Sequence, residues 1–76
     1  MRFVVARYEK DADSPDSVTD LSTVDVHAVS AMLGVPAAEL ADVHPLEKSH
    51  RSELRRLTGL GLDLEHYEYF LEVLAD

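Results

Sequence analysis

The sequence predicts an α+β domain: a small antiparallel sheet of about three strands, in the order ββααβ, with helices packed on one face. Three observations carry this. Arg2 to Glu9 is rich in the Val, Phe and Tyr that favour a pleated strand, and Tyr67 to Leu74 fits the period of two that a strand requires. Between them, Val26, Val29 and Leu33 recur at helical spacing, and EKSHRSELRRLT reads as a second helix stopped by Gly59. Strands at both ends with helices between them favour an α+β arrangement. The chain has 76 residues and reads as a single domain over 1–76.

The first strand spans 2–9, RFVVARYE. It places Val4, Ala6 and Tyr8 on one face and Phe3, Val5 and Arg7 on the other. Both faces are partly apolar, so the strand is expected to be central. Lys10 to Ser17 has Asp, Ser and Pro and no large apolar residue, so it reads as a loop. Residues 18–24, VTDLSTV, form a weaker second strand in a wide hairpin with the first.

The helix over 25–33 has Thr23 or Asp25 as its cap, and Gly34 ends it in a left-handed conformation. Pro36 opens a short turn through PAAELA. The helix over 47–58 has a narrow apolar stripe of Leu54 and Leu57, helped by Leu46 and His50, so most of it faces water. The last segment fits two periods. Tyr67, Phe70, Leu71 and Leu74 suit a helix. Tyr67, Tyr69, Leu71 and Val73 suit a strand whose other face is Glu68, Phe70, Glu72 and Leu74. The aromatic content favours the strand, paired antiparallel with the first.

Composition excludes several function classes. There is no cysteine, so no disulfide, thiolate metal site or Cys nucleophile is possible. A reducing cytoplasm is the expected location. The four-residue apolar run FVVA is too short for a signal-peptide core, and no segment approaches a membrane span. No serine sits in a glycine elbow, and three glycines supply no phosphate loop or dinucleotide fingerprint. The run Asp11-Ala-Asp13-Ser-Pro15-Asp16 faintly resembles a calcium loop, but Pro15, Asp16 and Ser22 stand where it needs a ligand, a glycine and a glutamate. His27, His44, His50 and His66 include no pair three or four residues apart, so no helical metal pair is expected. No catalytic residue, metal or cofactor is expected, and the chain does not read as an enzyme.

Charge is the remaining signal. Fifteen acids oppose seven bases, for a net charge of −8. Such a chain repels nucleic acid and anionic membranes and attracts basic partners. The charge is also segregated: residues 9–25 hold six acids and one base, and 63–76 hold five acids and no base. Lys48, Arg51, Arg55 and Arg56 collect the opposite sign on one helix, read as a solvated face with Glu47 pairing to Arg51. The acids are the best binding candidates, flanking large apolar anchors. The expected contact set is Asp13, Asp16, Asp20, Asp63, Glu65, Glu68, Phe70 and Glu72.

The span PLEKSHRSELRRLTGLGLDLEHYEYFLEV resembles the C-terminal half of a group of very small acidic bacterial proteins, many of them similar to the immunity proteins that accompany polymorphic or contact-delivered toxins. The residues that carry the resemblance are Leu46, Leu54, Leu57, Leu62, Asp63, Tyr67, Tyr69, Phe70, Leu71 and Glu72, and the start FVVARYEKD is similar too. The resemblance implies a cytoplasmic antitoxin that binds one cognate toxin domain. That partner would be basic, a nuclease or another enzyme acting on an anionic substrate. The alternative is a structural or regulatory module with no toxin partner, such as a homodimer formed through an exposed strand edge.

Overall fold

The structure, a computed structural model, describes residues 2–21 and 23–74. Ser22, within the expected second strand, and Asp76 of the acidic terminal segment lie outside the described residues. The fold is α+β, with a four-stranded antiparallel sheet and two helices.

The strands are β1 (Arg2–Glu9), β2 (Ser17–Asp20), β3 (His44–Leu46) and β4 (Tyr67–Leu74), and the sheet order is β2-β1-β4-β3. Helix α1 is Val26–Leu33 and α2 is Arg51–Thr58, with single 3-10 turns at Ala37–Glu39 and Lys48–His50. The expected count of about three strands is therefore corrected to four, and the order ββααβ to ββαβαβ. The added strand is short and contains Pro45, which reads in sequence as a strand breaker. It is tolerated at a sheet edge, where the missing N–H is not needed for pairing.

β1 and β4 are the central strands, as the two apolar faces of β1 require. They pair over their full length, with Val5 opposite Leu71 and Ala6 opposite Phe70. β2 begins at Ser17 and ends at Asp20, four residues before the expected end at Val24. The Leu21 N–H still donates to Phe3 O at 2.8 Å, but the Val24 N–H then turns back to Leu21 O at 2.9 Å. That turn points the chain into α1.

Both helices stop where sequence places the stop. Gly34 and Gly59 have φ of 69° and 78°, and their N–H groups donate to Ser30 O and Arg55 O at 2.9 and 2.8 Å. This left-handed conformation is the one glycine adopts at little cost. The expected helix over 47–58 is divided. Glu47 and His50 close a capping box around the 3-10 turn, and regular α-helix begins at Arg51. The side chain of Glu47 is thereby turned to the His50 N–H, and no ion pair joins it to Arg51 among the described residues.

The core lies on one side of the sheet. Phe3 and Val5 of β1 and Tyr69 and Leu71 of β4 cluster with Val29 of α1, Leu54 of α2, and Leu21, Leu40, Leu46 and Leu62. Leu40 and Leu71 are completely buried. The opposite face of the sheet lies outside that cluster. Val4 and Ala6 are buried, although neither joins that cluster.

Candidate protein-binding surface

The strand register composes the second sheet face row by row. Val4 stands between Asp20 and Glu72, and Ala6 between Val18 and Phe70. Phe70 in turn faces Pro45 on β3, and Tyr8 faces Glu68. Side chains two apart on a strand share a face, so Glu68, Phe70, Glu72 and Leu74 line up along β4. Val4 and Ala6 are hidden by these neighbours. The outer positions remain open: Val18 is 56% exposed and Leu74 is 40% exposed.

The centre of this face is an aromatic pair. The Tyr8 and Phe70 rings meet edge to face, with centroids 5.5 Å apart and planes at 87°. Tyr8, Ala12, Val43, Glu68, Phe70 and Glu72 line a shallow depression around the pair. Val43 is 58% exposed at its border. Among the described residues neither Glu68 nor Glu72 has an ion-pair partner. Asp20, farther along the face, pairs with Arg2 at 3.0 Å. The arrangement is an apolar, half-open centre flanked by two unmatched carboxylates.

The eight expected contact residues separate into three groups. Asp20, Glu68, Phe70 and Glu72 share the open sheet face. Asp13 is exposed in the β1–β2 loop, while Asp16 is bound to Arg7 through both carboxylate oxygens, at 2.7 and 2.8 Å. The hydrogen bonds from Arg7 lower the Asp16 pKa, desolvation opposes them, and the Arg7 charge adds to the lowering. The same pair raises the Arg7 pKa. Asp63 and Glu65 lie elsewhere, in the connector beside α2, where Asp63 contacts His66 Nδ1 at 2.9 Å.

Tyr8, Ala12, Val18 and Val43 belong to the face but are absent from the expected set. Alternation in β1 puts Tyr8 on the same side as Val4 and Ala6. Only the register Ala6↔Phe70 places it beside Phe70.

Three histidines have local hydrogen-bond roles. His50 Nδ1 accepts from the Glu47 N–H at 2.9 Å, His44 Nε2 meets Glu39 O at 3.0 Å, and His66 meets Asp63. Among the described residues no group of three or more His, Asp or Glu side chains is placed to hold a metal ion. No helix among them is long and apolar enough to cross a membrane.

These features define a class: a small α+β domain whose helices cover one sheet face and leave the other open. Residues 2–72 match the family model described as "Domain of unknown function (DUF7683)", and the chain belongs to that family. No curated protein and no solved structure matches the chain.

Proposed function

We propose that this chain works by protein–protein binding through the open sheet face, as an immunity protein that neutralises a cognate basic toxin domain in the cytoplasm. The observation that carries the reading is the Tyr8–Phe70 pair flanked by the unmatched carboxylates of Glu68 and Glu72. Aromatic side chains at the centre of a face, ringed by charge, are the usual energetic anchors of an interface. Unmatched acids in a chain of net charge −8 draw in a cationic surface and raise the encounter rate. An enzyme whose substrate is anionic, such as a nuclease, presents such a surface around its active site. Covering that site would inhibit it without any chemistry by the inhibitor.

The reading is tested by co-expression with the product of the adjacent gene. Co-purification of a stable complex, and survival of cells that express both proteins, are the expected results. A chain that binds nothing encoded beside it and protects no cell overturns the proposal.

One observation favours a second reading, a homodimer. β2 is an edge strand with Val18 exposed, so it offers an unpaired backbone edge to a second copy. It has only four residues, and the opposite edge, β3, has three with Pro45 among them. Short and proline-bearing edges are poor templates for strand addition. Sedimentation of the purified chain separates the readings, since a monomer excludes the dimer.

A further inference from the structure

The groove beside α2 carries charge that the sheet-face reading does not use. Four of the seven Lys and Arg residues, Lys48, Arg51, Arg55 and Arg56, fall in this short segment. Elsewhere the arginines are matched: Arg2 with Asp20 and Arg7 with Asp16. Here, among the described residues, only Arg56 has an ion-pair partner, Glu53. Of the nearby acids, Glu47 is engaged with His50 and Asp63 with His66. Lys48, Arg51 and Arg55 are exposed, and among the described residues they are unmatched.

Their placement converges. Arg51 and Arg55 are one helical turn apart, roughly 6 Å between Cβ atoms, on the same side of α2. Like charges so spaced repel, which favours an anion between them. Ser52, Arg55, Arg56 and Gly61 line one end of the groove, with Arg51, Leu62 and the carboxylate-bearing Asp63 along its length. Gly61 opens the far wall: a Cβ there would meet nothing within 4 Å. At the other end Glu65 joins Asp63 and Lys48. Those acids repel a polyanion extended past Lys48, and the net charge of −8 opposes every further phosphate contact.

We propose that the Arg51–Ser52–Arg55 end of this groove binds a single compact tetrahedral oxyanion, a phosphate group. Two guanidinium forks and a hydroxyl supply the donors that such an anion accepts. The site is separate from the sheet face and does not depend on the toxin reading.

The test is a titration of the whole chain with sodium phosphate at constant ionic strength, followed by the amide NMR spectrum. Saturable shifts confined to residues 48–56 and 60–63 are expected, with chloride producing none. Arg51→Gln with Arg55→Gln should weaken binding by about tenfold or more. Gly61→Glu, which puts a competing carboxylate into open space, should do the same, and dispersed spectra show that the variants fold. Parallel titrations with a phosphoserine peptide identify the source: tighter binding than phosphate assigns the site to a phosphoprotein, and equal binding assigns it to free phosphate. Shifts that persist in the double variant, or that chloride reproduces, overturn the proposal. A single-stranded oligonucleotide that binds the groove more tightly than either phosphate form also overturns it.

Discussion

Arg7 and Asp16 lock the mouth of the β1–β2 hairpin through a two-point contact, Nε to Oδ1 at 2.7 Å and Nη2 to Oδ2 at 2.8 Å. The Asp16 N–H also donates to Arg7 O at 2.7 Å. The guanidinium lies 4.2 Å from the centroid of the Tyr67 ring, so the same side chain joins β2's entry to β4. By charge alone Asp16 is a candidate partner contact. Its position makes it a structural group that closes the loop.

That role has a pH signature. Hydrogen bonding from Arg7 holds the Asp16 pKa below its unfolded value. A carboxylate lowered in the folded state stabilises fully above the unfolded pKa, about 4, and loses that contribution as pH falls through the folded pKa. Wild type should therefore melt a few degrees above Asp16→Asn at neutral pH, with the gap closing in strong acid. Melting followed by circular dichroism from neutral pH to strong acid measures this. A gap of constant size across that range would show that Asp16 acts through something other than its charge.

The glycines separate backbone strain from space. Gly59 has a φ of 78°, and a Cβ added there would meet no atom within 4 Å, so Gly59→Ala tests conformation alone. A side chain forced into the left-handed region costs about 1–2 kcal/mol. Gly61 has equal room but no positive φ. Gly61→Ala should be neutral, or stabilise by about 0.4–1 kcal/mol through the unfolded chain. Urea unfolding of both variants checks the contrast, and equal losses would refute it.

The Tyr69 hydroxyl accepts a hydrogen bond from the Asp63 N–H at 3.0 Å, and Tyr69 is only 5% exposed. This contact ties the connector after α2 to the sheet. Tyr69→Phe keeps the ring but leaves the amide without its acceptor, at an expected cost of about 1 kcal/mol. Amide exchange should quicken at Asp63 and, one turn on, at His66 and Tyr67, whose N–H groups donate to Asp63 O. Unchanged exchange there would mean that the turn holds without the hydroxyl.

The parts of this fold legible in sequence are those set by local chemistry. The Val, Phe and Tyr content of RFVVARYE and the alternation of YEYFLEVL mark β1 and β4, and Gly34 and Gly59 mark both helix ends. β3 is illegible because Pro45 contradicts strand propensity, and its place at an edge depends on tertiary pairing. Leu40 is wholly buried although it follows a short turn with no periodic pattern of its own. The open face is legible on β4, where alternation separates Glu68, Phe70 and Glu72 from the core. It is not legible for Asp63 and Glu65, because negative charge says nothing about which side of the molecule an acid occupies.

The sheet face offers the most direct functional prediction, because it can be altered without opening the core. Phe70 lies outside the core cluster, whereas Leu71 beside it is completely buried. Leu71→Ala should cost about 2–5 kcal/mol of stability, a large part of what so small a domain has. Phe70→Ala gives up the edge contact with Tyr8, about 0.5–1.5 kcal/mol beyond the area of a half-buried ring, and should leave a folded chain. Against the cognate partner its affinity should nevertheless fall by about 30-fold or more, the loss expected of an interface anchor. Glu68→Lys with Glu72→Lys should act differently, slowing association most at low salt and changing dissociation less. Surface-binding kinetics at two salt concentrations separate the effects. If Phe70→Ala binds as wild type does, the partner does not sit on this face.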